Sequence, residues 1–367
     1  MKRGSLLQIL SLLIILCLIT AGVVLYAQGF RIDLGQRSLA KTGMILTKSI
    51  PDGARILVND ELKGATDSTI SSLKPGTYHV RIEKDGYLPW EKDVEVKEEL
   101  ITSVTAILPP VSPSLTAITQ SGVRLVTVAP SGTKAAFLST DKLFLLSLTS
   151  QFLGFLHTRP QEIATEPKDF SFSKVNKLIF SPNEDQILLV SPFQSILFPA
   201  GSGNPSAVTD RTKLQAEWRT SIQQQEAEAV KTLKIPEELK DLAMANASVW
   251  SPDEHKFLYE KAVKGKRQFW VADFTDPLPV GEETSQKILE TESKNLKLYW
   301  LANSQNFIVI DGGAVSLIDL DGTNKREIFN GTLGENVAFS SSDLAQIIIL
   351  TSISSKAPEN LYGISLR

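Results

Sequence analysis

Hydrophobic residues first gather in one run near the start of the chain. No charge interrupts it from Leu6 to Tyr26, and 14 of these 21 residues are Leu, Ile or Val. A helix of about 20 residues spans the roughly 30 Å hydrocarbon core of a bilayer. Each Leu, Ile or Val favours insertion by about 0.3 to 0.6 kcal/mol. The run therefore predicts a transmembrane helix within residues 1–28, followed by a juxtamembrane linker over residues 29–42.

Basic residues stand on both sides of this run. Lys2 and Arg3 precede it, and three more follow it, namely Arg31, Arg37 and Lys41. Lys and Arg close to a span favour the cytoplasmic side. Because Lys2, Arg3 and the terminal amine lie nearest to the run, we expect a single-pass protein with a cytoplasmic N-terminus and an extracytoplasmic bulk. Two alternatives stay open: cleavage of a signal peptide after Ala27, and lipidation of Cys17, which follows Leu16 where a small residue is usual.

A period of two dominates residues 43–108. Val80 and Ile82, for example, alternate with Arg81 and Glu83, as residues do in half-buried antiparallel strands. Turn signals separate the strands, at Pro51-Asp52-Gly53, Asn59-Asp60, Lys74-Pro75-Gly76 and Lys84-Asp85-Gly86. Short alternating strands between regular turns predict a small β-sandwich.

The turns of this region carry a recognisable set of residues. The segment from Ser49 to Ala54, read Ser-Ile-Pro-Asp-Gly-Ala, resembles the signature of the PEGA domain, with Asp52 where the family has Glu. A second landmark, Gly64-Ala65-Thr66, is followed by Asp67 where the family has Pro. The matching positions, which we expect to be structural, are Pro51, Asp52, Gly53, Ala54, Gly64, Pro75, Gly76, Tyr78, Gly86, Tyr87 and Trp90. The resemblance implies a small, non-catalytic β-module of bacteria and archaea that is often linked to the cell envelope.

A proline-rich stretch, Pro109-Pro110-Val111-Ser112-Pro113, predicts a stiff linker over residues 109–114. Beyond it, residues 115–367 repeat a loose unit, in which an apolar strand, a turn near Ser-Pro or a variant of it, and a second apolar strand follow one another. Copies of the turn lie at Ala129-Pro130-Ser131, Ser181-Pro182-Asn183, Ser251-Pro252-Asp253, Leu301-Ala302-Asn303 and Ser340-Ser341-Ser342. Their spacing of roughly 40–70 residues fits four-stranded blades with insertions.

This repeat resembles the β-propellers of WD-repeat and TolB-like proteins, in which Ser-Pro-Asp before a hydrophobic strand is the commonest marker. The resemblance implies an all-β propeller of five blades, or of six if one lies unrecognised between His157 and Lys177. The chain ends on a third-strand pattern, Leu361–Leu366. The segment Leu115–Thr119 is therefore a candidate for the strand that closes the ring.

Residues 211–245 break the β pattern. They are rich in Gln, Glu, Ala and Lys, and Leu214, Trp218 and Ile222 recur every four residues along one helical face. Pro236 is typical of the first turn of a second helix. The pattern predicts a helical insertion between two blades, which acts either as a packed cap on one face or as a partner-binding arm.

Composition removes several classes of function. A net charge of −3 argues against a nucleic-acid binder, which would carry a basic stripe. The histidines, His79, His157 and His255, have no metal-site spacing, and the sequence holds no nucleophile elbow, Walker loop or dinucleotide fingerprint. We therefore expect no catalytic, cofactor-binding or metal-binding residues. The single cysteine, Cys17, excludes a disulfide within the chain.

These features predict a non-enzymatic, membrane-anchored binding or scaffold protein of the bacterial cell envelope. Its propeller would be the recognition surface, for a protein or an envelope polymer, because a propeller face gathers loops from every blade. One alternative is an extracytoplasmic hydrolase or lyase with dispersed catalytic residues, which carboxylates with shifted pKa values around the central channel would favour. The other is a transmembrane sensor that acts through a partner, since only Met1–Ser5 precede the predicted span.

Overall fold

The computed structural model describes residues 3–27, 30–33, 38–149, 159–201, 203–245, 247–278, 280, 283–354 and 356–367. Strands dominate this part of the chain, which is all-β apart from three α-helices and one turn of 3-10 helix. The chain divides into two compact units. The first comprises residues 1–85, 89–108 and 279–282, and the second comprises residues 86–88, 109–278 and 283–367.

The N-terminal part of the first unit is a helix followed by a hairpin. Helix α1 covers Arg3–Ala27, and the hairpin pairs β1 (Phe30–Asp33) with β2 (Ser38–Lys41). Within the described residues, no helix reaches the combination of length and apolarity that a membrane crossing requires.

Two sheets make up the rest of the first unit. One has the strand order β6-β3-β9 and the other has the order β5-β4-β7-β8. The antiparallel prediction is wrong at one place, because the first and last strands, β3 and β9, pair in parallel. A parallel pair needs a long crossover, which the five intervening strands supply. The bounds are β3 Gly43–Ile50, β4 Arg55–Val58, β5 Glu61–Ala65, β6 Ser68–Leu73, β7 Gly76–Glu83, β8 Trp90–Val96 and β9 Ile101–Ile107.

Burial in these sheets follows the predicted period of two. Val80 and Ile82 on β7 are fully buried, whereas Arg81 and Glu83 between and after them retain solvent contact. Strands β8 and β9 bury alternate residues in the same way. Each sheet therefore has one face in a shared core and one face in water, as expected for a small sandwich.

The second unit contains, among the described residues, five four-stranded antiparallel sheets, which we call blades 1–5. Blades 1 to 4 use consecutive strands, and blade 5 combines the last three strands with β10 from the start of the unit. The bounds of blade 1 are β11 Leu125–Val128, β12 Lys134–Ser139, β13 Lys142–Ser147 and β14 Gln161–Thr165, and those of blade 2 are β15 Lys177–Phe180, β16 Gln186–Val190, β17 Ser195–Pro199 and β18 Ser206–Val208. The bounds of blade 3 are β19 Val249–Trp250, β20 Lys256–Val263, β21 Lys266–Asp273 and β22 Ser285–Thr291. Those of blade 4 are β23 Lys297–Trp300, β24 Asn306–Asp311, β25 Ala314–Asp319 and β26 Arg326–Asn330, and those of blade 5 are β27 Leu333–Ser340, β28 Gln346–Thr351, β29 Asn360–Ser365 and β10 Leu115–Ala117.

The predicted ring closure is confirmed, because β10 pairs with β29 from Leu115 opposite Ile364 to Ala117 opposite Tyr362. A sixth blade does not form in the described residues between 159 and 177. Gln161–Thr165 is instead the outer strand of blade 1, and a 3-10 turn, Phe172–Lys174, leads into blade 2. Residues 150–158, including His157, lie outside the described residues.

Neighbouring blades pack through their apolar faces, as the layers of a propeller do. Phe180 of blade 2 shares a core with Leu138 of blade 1, and Phe339 of blade 5 shares another with Phe137 of blade 1. Blades 3 and 4 share a third core, which includes Val271 and other residues of both sheets. The hydrogen bond from Tyr299 to Asn336 joins blade 4 to blade 5, so the order of neighbouring blades is 2-1-5-4-3. Residues 211–243 pack on both blade 2 and blade 3 and so connect the two ends of this series.

All five turns between the first and second strands have the same backbone structure. The N–H of the first turn residue donates to the carbonyl five residues later, at 2.9 to 3.1 Å, and the N–H of the fourth donates back to the first carbonyl. The fourth residue has a φ between 54° and 68° in every copy. In three copies a serine begins the turn and its hydroxyl donates to an aspartate two or four residues later, which explains why serine recurs at this position: Ser181 to Asp185, Ser251 to Asp253 and Ser341 to Asp343.

The helical insertion lies between blades 2 and 3. Helix α2 covers Arg211–Thr232 with Asp210 as its N-cap, and α3 covers Glu237–Ala243. The N-terminal half of α2 packs on blade 2 through Leu214 and Trp218. The C-terminal end of α2 and all of α3 pack on blade 3 through Val230 and its neighbours. The predicted insertion therefore links two blades, while Ile222 on the same helical stripe remains 41% exposed.

Candidate recognition site on the propeller

The first strands of the five blades begin at the same face of the ring. Each first strand runs antiparallel to the second strand of its blade, so the hairpin between the second and third strands returns to that same face. We call it the mouth face. The opposite face, which carries the five repeated turns, is the turn face. Side chains at the starts of the first strands therefore converge at one end of the ring.

Four polar residues from blades 1, 4 and 5 meet at the mouth face, and we call them the mouth cluster: Arg124, Lys297, Tyr299 and Glu335. Arg124 and Lys297 both exert a favourable electrostatic effect on the carboxylate of Glu335. The hydroxyl of Tyr299 on blade 4 donates to the carbonyl of Asn336 on blade 5 at 2.6 Å. The backbone N–H of Val126 on blade 1 donates to Glu335 at 3.4 Å. The cluster therefore joins three blades around a charged centre.

Blade 2 is tied to the same cluster through the guanidinium of Arg124. One nitrogen donates to the carbonyl of Val175 at 2.7 Å, and the other donates to the carbonyl of Phe172. Both carbonyls lie just before β15. Lys177, the first residue of β15, is exposed at the same face, which adds a further positive charge near the start of a first strand.

The electrostatics of the mouth cluster differ from those of a freely solvated surface. Burial raises the pKa of the Glu335 carboxyl, and Glu359 raises it further, against the opposing effects of Val126 N–H and the two cations. Burial also raises the pKa of Tyr299 to about 12, and the negative charge of Glu335 contributes. Burial lowers the pKa of Arg124. Glu335 is nevertheless exposed to water, so its carboxylate combines contact with neighbouring protein groups and access for a ligand from solution.

A cleft of about 200 Å³ opens beside the mouth cluster, between blades 3 and 4. Its walls include Leu258 and Phe269 from blade 3 and Lys297 and Tyr299 from blade 4. Val249, the first residue of β19, lines it and is 48% exposed. Apolar walls with a few charged groups are typical of binding sites, and this cleft combines the two.

Arg267 fixes the loop that leads into blade 4. Its guanidinium forms a bidentate pair with Glu260, at 2.7 and 2.8 Å. The same group donates to three carbonyls of the loop before β23, those of Ser293, Lys294 and Leu296. Such a planar fork holds several acceptors at once. Arg267 therefore positions the start of β23, where Lys297 and Tyr299 enter the mouth cluster.

The predicted PEGA residues lie in turns and in the core of the sandwich. Pro51, Asp52 and Gly53 form the turn between β3 and β4, and Gly53 has a φ of 67°, a conformation that favours glycine. Ala54 is completely buried. Its N–H donates to the hydroxyl of Thr66 at 2.9 Å.

Thr66 thus ties the first motif to the second, since it also contacts the hydroxyl of Ser49 at 2.5 Å. Both hydroxyls are buried, so each needs this partner. Sequence reasoning placed Thr66 in a family landmark but missed this hydrogen-bonded link. No local pattern marks this link, because it joins residues that are 12 to 17 positions apart in the chain.

The remaining motif residues lie in strands and turns. Trp90 begins β8 and is 3% exposed, and the hydroxyl of Tyr78 donates to the carbonyl of Lys74 at 2.9 Å. Tyr87 forms an isolated bridge with Pro110. Gly64, Gly76 and Gly86 have positive φ values of 150°, 153° and 86°. Pro75 directly precedes Gly76, the first residue of β7. That these residues serve a structural role stays a prediction.

Neither histidine in the described part of the chain lies in the mouth cluster. His79 contacts Asp93 at 2.9 Å on the sandwich, and His255 contacts the carbonyl of Asp253 in a turn. Among the described residues no three His, Cys, Asp or Glu side chains are grouped to hold a metal ion. The mouth cluster itself escaped the sequence reasoning, because its members are far apart in the chain and match no motif.

Comparison with solved structures gives low similarities. The chain is similar to a putative TolB from Agrobacterium tumefaciens, with 13% identity over 66% of this chain and 77% of that one and a TM-score of 0.25. It is also similar to TolB from Acinetobacter baumannii, with 12% identity, coverages of 86% and 72% and a TM-score of 0.25. The WD40 domain of SCAP from fission yeast gives 8% identity, coverages of 65% and 53% and a TM-score of 0.20. Scores this low carry no argument here, so the propeller assignment rests on the sheet topology described above.

No curated protein matches the chain. One family model does, and it covers the first soluble region. Residues 42–112 match the PEGA domain, which confirms the resemblance predicted from Pro51-Asp52-Gly53-Ala54 and the landmarks that follow it.

Proposed function

We propose that the chain is a non-enzymatic binding or scaffold protein, anchored in the membrane of a bacterial cell envelope and exposed on the extracytoplasmic side. Residues 1–28 would form the anchor and short cytoplasmic tail, and residues 29–42 the juxtamembrane linker. The sandwich over residues 43–108 would act as a spacer. After the linker at 109–114, the propeller over 115–367 would be the recognition domain.

The observation that carries the recognition role is the mouth cluster. Arg124, Lys297 and Glu335 come from three blades, interact electrostatically and are all exposed to water. Charged groups that are held in place, partly desolvated and beside an apolar cleft favour binding with defined orientation. Support for the anchor is the uncharged run from Leu6 to Tyr26, and support for an envelope role is the PEGA match over residues 42–112.

One observation favours the alternative that the chain is an enzyme. The pKa of Glu335 is raised, as it is in carboxyl groups that act as general acids. A hydrolase or lyase would use Glu335 directly on its substrate. Glu335→Gln should then abolish turnover of a polysaccharide or peptide substrate panel that the wild type degrades. The binding proposal expects no turnover of that panel by either protein.

Site-specific crosslinking in intact cells tests the recognition role. A photoreactive benzoylphenylalanine replaces Lys297 at the mouth face, and the control places it at Pro252, which is exposed in a repeated turn of blade 3 on the turn face. Ultraviolet light should give discrete high-mass adducts with the first protein and not with the second. Equal adducts from both faces, or none from the mouth face, would contradict recognition through the mouth cluster.

A further inference from the structure

Blade 3 has an incomplete first strand. In blades 1, 2, 4 and 5 the first strand pairs with the second to within one residue of the end of that second strand. In blade 3 the pairing stops at Val249 opposite Leu258, although β20 continues to Val263. Five residues of β20 therefore extend beyond β19. At roughly 3.3 Å per residue, this extension is about 16 Å long.

The extension keeps its pairing on one side only. β21 pairs with β20 as far as Lys266 opposite Val263. On the other side, the last described pair is Val249 with Leu258. The residues Glu260 to Val263 are all exposed, after four buried residues at the start of the same strand. An unpaired strand edge of this kind exposes its N–H and C=O groups and is a template for another strand.

The hydrogen-bonding direction of each residue follows from the turn at the base of the blade. The N–H of Ser251 donates to the carbonyl of Lys256, so Lys256 directs its backbone groups toward β19. Alternation along a strand gives the same direction to Leu258, Glu260 and Ala262. Leu258 is opposite Val249, whereas the described residues provide no strand opposite Glu260 and Ala262. Two residues therefore offer a donor and an acceptor each on the open edge.

The open edge borders the cleft beside the mouth cluster. Leu258, Tyr259 and Glu260 of the edge strand all line that cleft. Across the cleft lie Leu296 and Lys297 of blade 4. The space is thus where a longer first strand of blade 3 would run, along the inner side of the ring.

Charge around this edge is unbalanced toward the positive. The nearby carboxylates of Glu260, Glu290 and Glu292 each lie within 4.0 Å of a basic group. Within the described residues, four lysines around the cleft and hairpin have no carboxylate within that distance: Lys261, Lys264, Lys294 and Lys297. Lys261 lies instead over the rings of Tyr259 and Trp270, at 5.2 and 4.6 Å. The surplus favours an anionic partner.

We infer that the open edge of β20 binds an extended, acidic peptide segment of a partner protein, which adds a strand to blade 3. Backbone hydrogen bonds to Glu260 and Ala262 would hold the segment, as in other cases of strand addition. Acidic side chains would meet the surplus lysines, and apolar ones would enter the cleft beside Val249. This inference rests on the proposed binding function and specifies the kind of partner.

The test measures peptide binding to the purified full chain in detergent by fluorescence anisotropy. The probe is a fluorescein-labelled peptide of four Glu-Val repeats, and the control peptide has four Lys-Val repeats. Ala262→Pro removes one outward N–H and leaves the β21 side of the strand unchanged, since proline is tolerated on an open edge. Ala262→Ser is the matched control and retains the N–H.

The wild type and Ala262→Ser should bind the Glu-Val peptide. Ala262→Pro should weaken this binding by about tenfold or more, because it loses a hydrogen bond and the close approach of the strand. The Lys-Val peptide should bind at least about tenfold more weakly than the Glu-Val peptide. Equal binding by Ala262→Pro and wild type, or no preference for the acidic peptide, would overturn the inference.

A second measurement does not depend on the proline variant folding. Amide hydrogen exchange of the wild type should slow over residues 258–263 when the Glu-Val peptide is added, and not in the corresponding strand of blade 4, Asn306–Asp311. Absence of protection over 258–263 would also overturn the inference. Because both assays use purified protein, their failure leaves crosslinking from the mouth face in cells as an independent test of the proposed function.

Discussion

A buried lysine at the turn face of blade 3 allows a quantitative prediction. Lys256 is 1% exposed, and its ammonium lies 3.2 Å from an oxygen of Asp253 and 3.7 Å from an oxygen of Asp273, which is also 1% exposed. Thr275 accepts from the same ammonium at 3.3 Å. Lys256→Met keeps the aliphatic stem but leaves Asp273 charged and buried without a cation. Removing one partner of a buried pair costs about 3–5 kcal/mol, so we expect a loss of stability of that size.

The chain offers a matched control. Lys134 begins the second strand of blade 1, as Lys256 does in blade 3, and stands opposite Ser147. Its side chain is 35% exposed and lies 3.6 Å from Glu184. Glu184 is 13% exposed, but its carboxylate also accepts from the N–H and the hydroxyl of Ser131. Lys134→Met therefore leaves this carboxylate hydrogen-bonded and should cost much less than Lys256→Met.

Urea unfolding of the full chain, followed by tryptophan fluorescence, measures the difference; Trp250 and Trp270 in blade 3 are two of the five tryptophans that contribute. The double variant Lys256→Met/Asp273→Leu should regain most of the lost stability, because apolar replacement of a whole buried pair is about neutral. The reasoning is refuted if Lys256→Met costs no more than Lys134→Met, or if removal of Asp273 as well fails to restore stability.

Three further predictions concern single positions. Gly132→Ala should destabilise the chain by about 1 kcal/mol, because Gly132 has a φ of 68° with open space at its Cβ position; Gly201→Ala, with equal space and no positive φ, should be neutral or stabilising. Thr66→Val should cost about 1–3 kcal/mol, because the buried N–H of Ala54 loses its hydroxyl acceptor. Glu335→Gln should raise the melting temperature at pH 7 and leave it unchanged near pH 3.

The sign of the last prediction follows from linkage. A carboxyl whose pKa is raised in the folded state makes folding more favourable below its unfolded pKa, about 4.3, and this contribution is lost as the pH rises through the folded pKa. Because glutamine does not ionise, Glu335→Gln removes this loss of stability at neutral pH. Thermal melts at both pH values check it, and a lower melting temperature at pH 7 would show that the contacts of Glu335 with Arg124 and Val126 dominate. Equal changes in stability for Gly132→Ala and Gly201→Ala would contradict the glycine prediction. A Thr66→Val variant as stable as the wild type would contradict the prediction for Thr66.

Local sequence patterns predicted the parts of the fold that depend on local physical chemistry. The alternation around Val80 and Ile82 is set by strand geometry. The two Ser-Pro turns are set by a serine hydroxyl within reach of an aspartate four or fewer residues away. The two helices over Arg211–Ala243 likewise followed from their apolar spacing and from Pro236. Each of these features needs only neighbours in sequence.

The features that depend on distant residues were not predictable from one sequence. The parallel pair of β3 and β9 requires knowledge of the sheet order, which residue patterns do not contain. Arg124, Lys297 and Glu335 meet because three blades begin at one face, while the residues are far apart in the chain. The open edge after Tyr259 depends on where β19 begins, and no residue type marks that point.

Protease access to a C-terminal tag tests most directly whether the chain is anchored in the membrane with its propeller outside the cytoplasm, as we propose. Intact spheroplasts that express the full chain with a tag after Arg367 are treated with protease, with a cytoplasmic protein as the integrity control. The proposal predicts that the tag disappears while the control survives and while the N-terminal fragment remains with the membrane fraction. A tag that is protected until the cells are lysed would contradict it.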